Sequence, residues 1–147
     1  MSTATNKLNT DNAQFTDYDI SKFLLGFNSF VDATFTAAAN TDLKEGMVMG
    51  QVAASGKVLP LDKDATDGSQ YPFGICLRDQ TVLNAASVTL PMVNKGRVLE
   101  SKLNFLDVET LATTIGPANN LRTVRALLND LGFELMAGIE LTAADNS

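Results

Sequence analysis

The side chains that could do chemistry in this chain are few, and the most versatile of them is missing. The 147 residues contain no histidine. Imidazole is the commonest general base near neutral pH and the commonest transition-metal ligand. Its absence removes Ser–His and Cys–His nucleophiles and leaves only carboxylate or lysine chemistry. No acid pair stands at a spacing that would make two carboxylates converge, so the chain is expected not to be an enzyme. Cys76 is the single cysteine, which rules out an internal disulfide. It lies in Phe73-Gly74-Ile75-Cys76-Leu77, with no histidine or basic residue inside that run to lower its pKa, and reads as a buried small hydrophobe.

Asp62-Lys63-Asp64-Ala65-Thr66-Asp67-Gly68 has the look of a calcium loop. In an EF-hand, however, the third acid and the glycine fall one place earlier, and a glutamate closes the loop where Phe73 stands here. Acids clustered beside glycine are ordinary turn chemistry, and a turn without metal is the expectation. Gly46, Gly50 and Gly56 do not fit the phosphate-binding spacing G-x-G-x-x-G, and no helix follows to offer its N-terminus to a phosphate. They fit hairpins and bulges. No cofactor and no metal are expected.

Partners are constrained by charge. Eleven lysines and arginines against seventeen acids give a net charge of −6, which repels a phosphate backbone, and no basic run reverses this locally. Nucleic acid is not an expected partner. With 19% charged residues, much of the surface must be uncharged and open to protein contact. The start, Met1 to Asp11, is polar and carries no apolar signal segment, and no run is long enough to cross a membrane. Cytoplasmic synthesis without secretion and no membrane contact are the expectations.

The elements that must position these residues are mostly strands. The length suits one domain. Val31 to Thr36 alternates with period two, as a half-buried strand does. From Leu43 to Leu99, short β runs are separated by glycine turns. They are Met47–Val52, Val58–Leu61, Phe73–Leu77, Ser87–Val93, and Arg97–Glu100 after a turn at Asn94-Lys95-Gly96. Pro60 and Pro91 point to strand ends, bulges or edges. Ser101 to Ile115 has loosely helical apolar spacing, broken at Gly116-Pro117. A helix is expected over Asn119–Leu131, with Leu121, Val124, Leu127, Leu128 and Leu131 on one face, an asparagine cap at 119 or 120, and Gly132 at its end. Phe133 to Leu141 is expected as a closing strand.

One stretch is not explained by a compact core. After a polar segment over 1–14, expected to be mobile, the residues Phe15, Tyr18, Ile20, Phe23, Leu24, Leu25, Phe27, Phe30 and Phe35 crowd together. Aromatics are enriched where proteins meet other proteins. Residues 15–36 are therefore expected to be a contact segment, and 1–36 as a whole an extended N-terminal arm. Residues 37–147 then form a β-rich body with one or two helices.

The order of parts resembles the head decoration proteins of lambda-like tailed phages. It is carried by Leu43-Lys44-Glu45-Gly46-Met47-Val48-Met49-Gly50, Ser55-Gly56-Lys57-Val58-Leu59-Pro60, Ala65-Thr66-Asp67-Gly68-Ser69-Gln70 and Pro72-Phe73-Gly74-Ile75. The later Val88–Val93 strand, the Lys95-Gly96-Arg97-Val98 segment and the terminal helix–strand fit the same order over roughly residues 20–141. Asn104 to Ala118 looks like additional material. The resemblance implies a body of β-clip type and homotrimers on the outer surface of an expanded phage head. It also implies arms that order against the major capsid protein, and a cementing role in the virion. A β-rich ligand- or receptor-binding accessory module of a virion is the alternative. It would favour exposed aromatics on the body, yet the chain has no tryptophan, and Tyr71 is the one tyrosine beyond the arm.

Overall fold

The computed structural model describes residues 24–137. In chain order these form β1 (Leu24–Thr36), β2 (Thr41–Leu43), β3 (Val48–Gln51), β4 (Val58–Pro60), β5 (Pro72–Cys76), β6 (Gln80–Val82) and β7 (Ser87–Leu99). A 3-10 turn at Glu100–Lys102 follows, then β8 (Thr114–Ile115), β9 (Arg122–Thr123), α1 (Val124–Leu131) and β10 (Phe133–Met136). The fold is mainly β with one α-helix among the described residues, as expected.

The main sheet runs β1-β7-β5-β3-β4, with antiparallel neighbours throughout. β1 takes one edge of β7 along nearly its whole length, from Leu24 opposite Val98 to Thr36 opposite Ser87. The other edge of β7 is shared in succession by β5, at Met92 and Val93, and by β10, which runs parallel from Phe133 opposite Gly96 to Met136 opposite Leu99. β2 with β6 and β8 with β9 form two small two-stranded sheets.

Both faces of the middle of this sheet are buried, which explains the nearly continuous apolar runs in β3, β5 and the middle of β7. Successive strand residues point to opposite faces. Val48, Ile75 and Val93 enter one core, together with Val98, Ile115, Val124, Leu128 and Phe133 from the chain's second half. Met49, Cys76 and Met92 enter the other, with Phe35, Leu43, Met47, Val58, Val82 and Leu90. On β1, Val31, Ala33 and Phe35 serve that second core, while Phe30, Asp32 and Thr34 on the opposite face are exposed.

The structure corrects four sequence expectations. Asn94-Lys95-Gly96 is not a turn but a bulge within the single strand β7. Phe30 pairs with Val93 and Ser29 with Lys95, so Asn94 is the extra residue. The bulge changes the parity of the strand, which lets Val98 rejoin the core that Val93 enters. Gly96 has φ +144°, and a Cβ there would meet Asn28 Oδ1 and its Cα. Second, the helix starts at Val124 rather than 119. Arg122 and Thr123 are held by β8, and the Thr123 hydroxyl accepts the Ala126 N–H at 3.1 Å as the N-cap. Leu121, expected on the helix's apolar face, is exposed. Gly132 does end the helix. Third, 101–115 forms only the 3-10 turn, loops and β8. Fourth, residues 24–36 of the expected arm are a strand of the sheet, so the regular structure of the body begins inside 1–36.

Ion pairs fasten the second half. Arg125 forks onto Glu100 with bonds of 3.0 and 2.8 Å, tying α1 to the 3-10 turn. Arg97 pairs with Glu134 across β7 and β10, and Arg122 with Asp130 across the helix. The Glu100 and Asp130 carboxyls are held below the usual range by hydrogen bonds from these guanidiniums.

Candidate functional site

The nine contact candidates fall into four groups. Phe15, Tyr18, Ile20 and Phe23 lie outside the described residues. Leu25 and Phe27 are in β1, with no side-chain placement described. Leu24 is half-buried against the first core, opposite Val98. The remaining two have opposite fates on one strand. Phe30 is 59% exposed, whereas Phe35 is 2% exposed and belongs to its own subunit's second core. Five residues separate them, an odd number, so the pleat sends them to opposite faces. β1 is also an edge strand whose hydrogen-bonded partner among the described residues is β7 alone, and Phe30 stands on that edge.

The Asp62–Gly68 stretch is a self-satisfied loop. Asp62 Oδ1 accepts the Asp64 N–H at 2.9 Å, and the Asp62 carbonyl accepts the Ala65 N–H. Asp67 Oδ1 accepts both the Ser69 hydroxyl at 2.6 Å and the Ser69 N–H at 3.0 Å. These bonds, the hydroxyl's first, hold the Asp67 carboxyl below the usual aspartate range. The stretch crosses close over β3. A Cβ on Gly50 would lie 2.0 Å from the Ser69 carbonyl oxygen, so only glycine fits there. Among the described residues no three acids or cysteines converge as metal ligands. Cys76 is fully buried, its thiol points to the Arg78 carbonyl at 3.2 Å, and burial raises its pKa, which disfavours the thiolate.

Beside this loop is a cavity of about 340 Å³ that sequence reasoning missed. Buried Phe35, Leu61 and Ser69, with half-buried Leu59, lie at its depth. Ala38, Ala39, Asp62, Asp67, Leu106 and Asp107, all exposed, surround its mouth. Three separated stretches, 35–41, 59–69 and 106–107, build it, so no motif spacing could announce it. The 104–109 segment is pinned by Asn104, whose carbonyl accepts the Val48 N–H and whose Nδ2 donates to the Glu45 carbonyl at 2.9 Å. Glu109 adds a second tie by accepting the Lys63 N–H at 3.0 Å. It is 4% exposed, and its Oε1 has no hydrogen-bond partner among the described residues.

The most exposed aromatic among the described residues is Phe30, on the β1 edge. No curated protein matches the chain. A family model, bacteriophage lambda head decoration protein D, matches residues 23–114. That span opens at the start of β1 and runs through the whole main sheet except β10, ending at Thr114 inside the 104–118 segment. It covers well over half of the chain. Matched across its main sheet, the chain thus belongs to the bacteriophage lambda head decoration protein D family, structural proteins of the phage capsid.

Proposed function

We propose that this chain binds the outer surface of an expanded phage head as a homotrimer, contacts the major capsid protein, and stabilises the shell. The observation that carries this beyond the family's decorating role is β1. Among the described residues it is an edge strand with an exposed aromatic, and in the sequence the aromatic stretch from Phe15 to Phe23 directly precedes it. An edge strand offers main-chain hydrogen bonds to an added strand, and aromatic side chains filling pockets give such contacts their affinity. Phe15, Tyr18, Ile20, Phe23, Leu24, Leu25, Phe27 and Phe30 are the proposed contact residues. Phe35 would act from within, by holding β1 to the body. Three arms on one trimer raise the effective concentration of each at the shell.

The test is a chain beginning at Leu24, which keeps β1 and therefore the sheet. It should melt cooperatively yet lose most binding to expanded heads in co-sedimentation. The full chain should sediment as a trimer on the particle and raise the temperature at which heads release their DNA. Equal decoration by the shortened and full chains would refute the contact assignment. Unchanged head stability would refute the cementing role.

A further inference from the structure

We propose that the cavity beside the Asp62–Gly68 loop is a socket for a lysine or arginine side chain of the capsid protein. This rests on the capsid-binding reading above and adds a second, charge-selective contact to it. The cavity, at about 340 Å³, is near the small end of ligand pockets, which run about 300–1,000 Å³. That is room for one long side chain rather than a cofactor. Its depth is apolar, from Phe35, Leu59 and Leu61, while its mouth carries the carboxylates of Asp62, Asp67 and Asp107.

Among the described residues those carboxylates form no ion pair, although the Lys63 ammonium does feel the charge of Asp62. Among the described residues, the four ion pairs join Lys63 to Asp64, Arg97 to Glu134, Arg122 to Asp130, and Arg125 to Glu100. None of them uses an acid of the mouth. Lys63, the nearby base, holds both oxygens of Asp64 at 3.0 and 2.9 Å. Two residues beyond Asp107, the buried carboxylate of Glu109 adds negative potential to the same corner. An apolar depth under an anionic mouth is complementary to a methylene stem that ends in a cation, which only lysine and arginine offer. A free metal ion would have to shed water against Phe35 and the leucines, and the acids do not converge on it. The loop's own hydrogen bonds fix the Asp67 carboxylate in place, so part of the mouth is organised before an occupant arrives.

The experiment measures binding of the full-length protein to expanded heads at several salt concentrations. Wild type is compared with the double variant Asp62→Asn, Asp107→Asn and with Ala38→Phe, which blocks the mouth from an exposed position. The double variant should bind about tenfold more weakly, with a shallower salt dependence. Ala38→Phe should weaken binding while leaving the thermal melt unchanged. Carbodiimide coupling on decorated particles, read by mass spectrometry, should place any link from Asp62 or Asp107 on the capsid protein. Wild-type affinity and salt dependence in both variants would overturn the socket while leaving the capsid-binding reading intact. A wild-type protein that fails to bind heads would overturn both. A link to Lys7 or Lys22 of this chain would overturn the capsid as occupant.

Discussion

Phe30 and Phe35 sit on the same strand, have the same chemistry, and should behave in opposite ways when truncated to alanine. Phe35 is 2% exposed and packs with Val31, Ala33, Leu90 and Met92 in the second core. Removing a buried ring loses its transfer free energy and leaves a cavity, a combined cost of about 3–5 kcal/mol. That is a large fraction of the roughly 5–15 kcal/mol by which a domain is stable. With a urea slope of about 1–3 kcal/mol/M, the unfolding midpoint should fall by about 1 M or more. Phe30 is 59% exposed and has Val93 as its cross-strand neighbour. Its loss should cost at most about 1 kcal/mol, the upper end for a cross-strand pair. On expanded heads the order reverses. Phe30→Ala should weaken binding about 30-fold if the ring is an interface anchor, at about 2 kcal/mol. Phe35→Ala, measured where it remains folded, should lose less. Urea melts with co-sedimentation on heads read both quantities. A Phe30→Ala midpoint as low as that of Phe35→Ala would refute the assignment of faces, and so would a Phe35→Ala midpoint equal to wild type.

Leu128→Ala should destabilise by about 2–5 kcal/mol in the same melts, because Leu128 is fully buried between α1 and the first core. An unchanged midpoint would mean that the helix does not pack there. Gly50→Ala should lower the melting temperature by several degrees, since the new methyl would collide with the Ser69 carbonyl at 2.0 Å and force the 67–70 crossing outward. A melt at the wild-type temperature would show that the crossing yields freely. Acidification should remove stability through Asp67, Glu100 and Asp130, whose pKa values are all depressed in the folded chain. For a depressed carboxyl the contribution is fully present above the unfolded value, about 4, and is lost as pH falls through the folded value. Stability measured from pH 6 to pH 2 should therefore decline below about pH 4, less steeply in Glu100→Gln. A decline already under way between about pH 6 and pH 5 would contradict this origin.

Much of the sheet was legible because both its periodicities were present in the text. The alternation from Val31 to Thr36 gave the faces of β1, and the apolar runs at 47–49, 75–77 and 92–93 marked strands buried on two sides. The same alternation already contained the split between Phe30 and Phe35, since Phe35 shares parity with Val31 and Ala33. Grouping both rings by aromatic density alone hid it. Asn94-Lys95-Gly96 reads as a hairpin turn because bulges and turns make the same demand for a residue free to adopt positive φ. Only the pairing of Ser29 with Lys95 distinguishes the two. The helix start was misplaced because β8 claims Arg122 and Thr123, a tertiary competition that no local cap signal reveals. The socket was invisible for a related reason, as Phe35, Leu59, Asp67 and Asp107 come together only through the crossing over β3 and the anchoring of Asn104.

The way β1 is held suggests how a decorating body could carry load from its arm. From Phe30 to Thr36, β1 pairs with β7 residue for residue, and its register shifts are confined to the stretch between Leu24 and Phe30. The regular half cannot slide. A slip by one residue would turn Phe35, Ala33 and Val31 out of the second core and bring Asp32 and Thr34 in. Tension entering at Leu24 would thus meet a bulged segment able to adjust its twist, followed by a segment locked by side-chain parity. Phe35 is the largest side chain in that lock, and it also lies at the depth of the cavity whose acidic mouth is proposed to grip the capsid. A cation seated in that cavity would pack on the ring that fixes the β1 register, so the two contacts would reinforce one another through a single side chain. Measured as a double-mutant cycle on heads, Phe30→Ala and Asp107→Asn should then be non-additive, although the two residues lie on different elements.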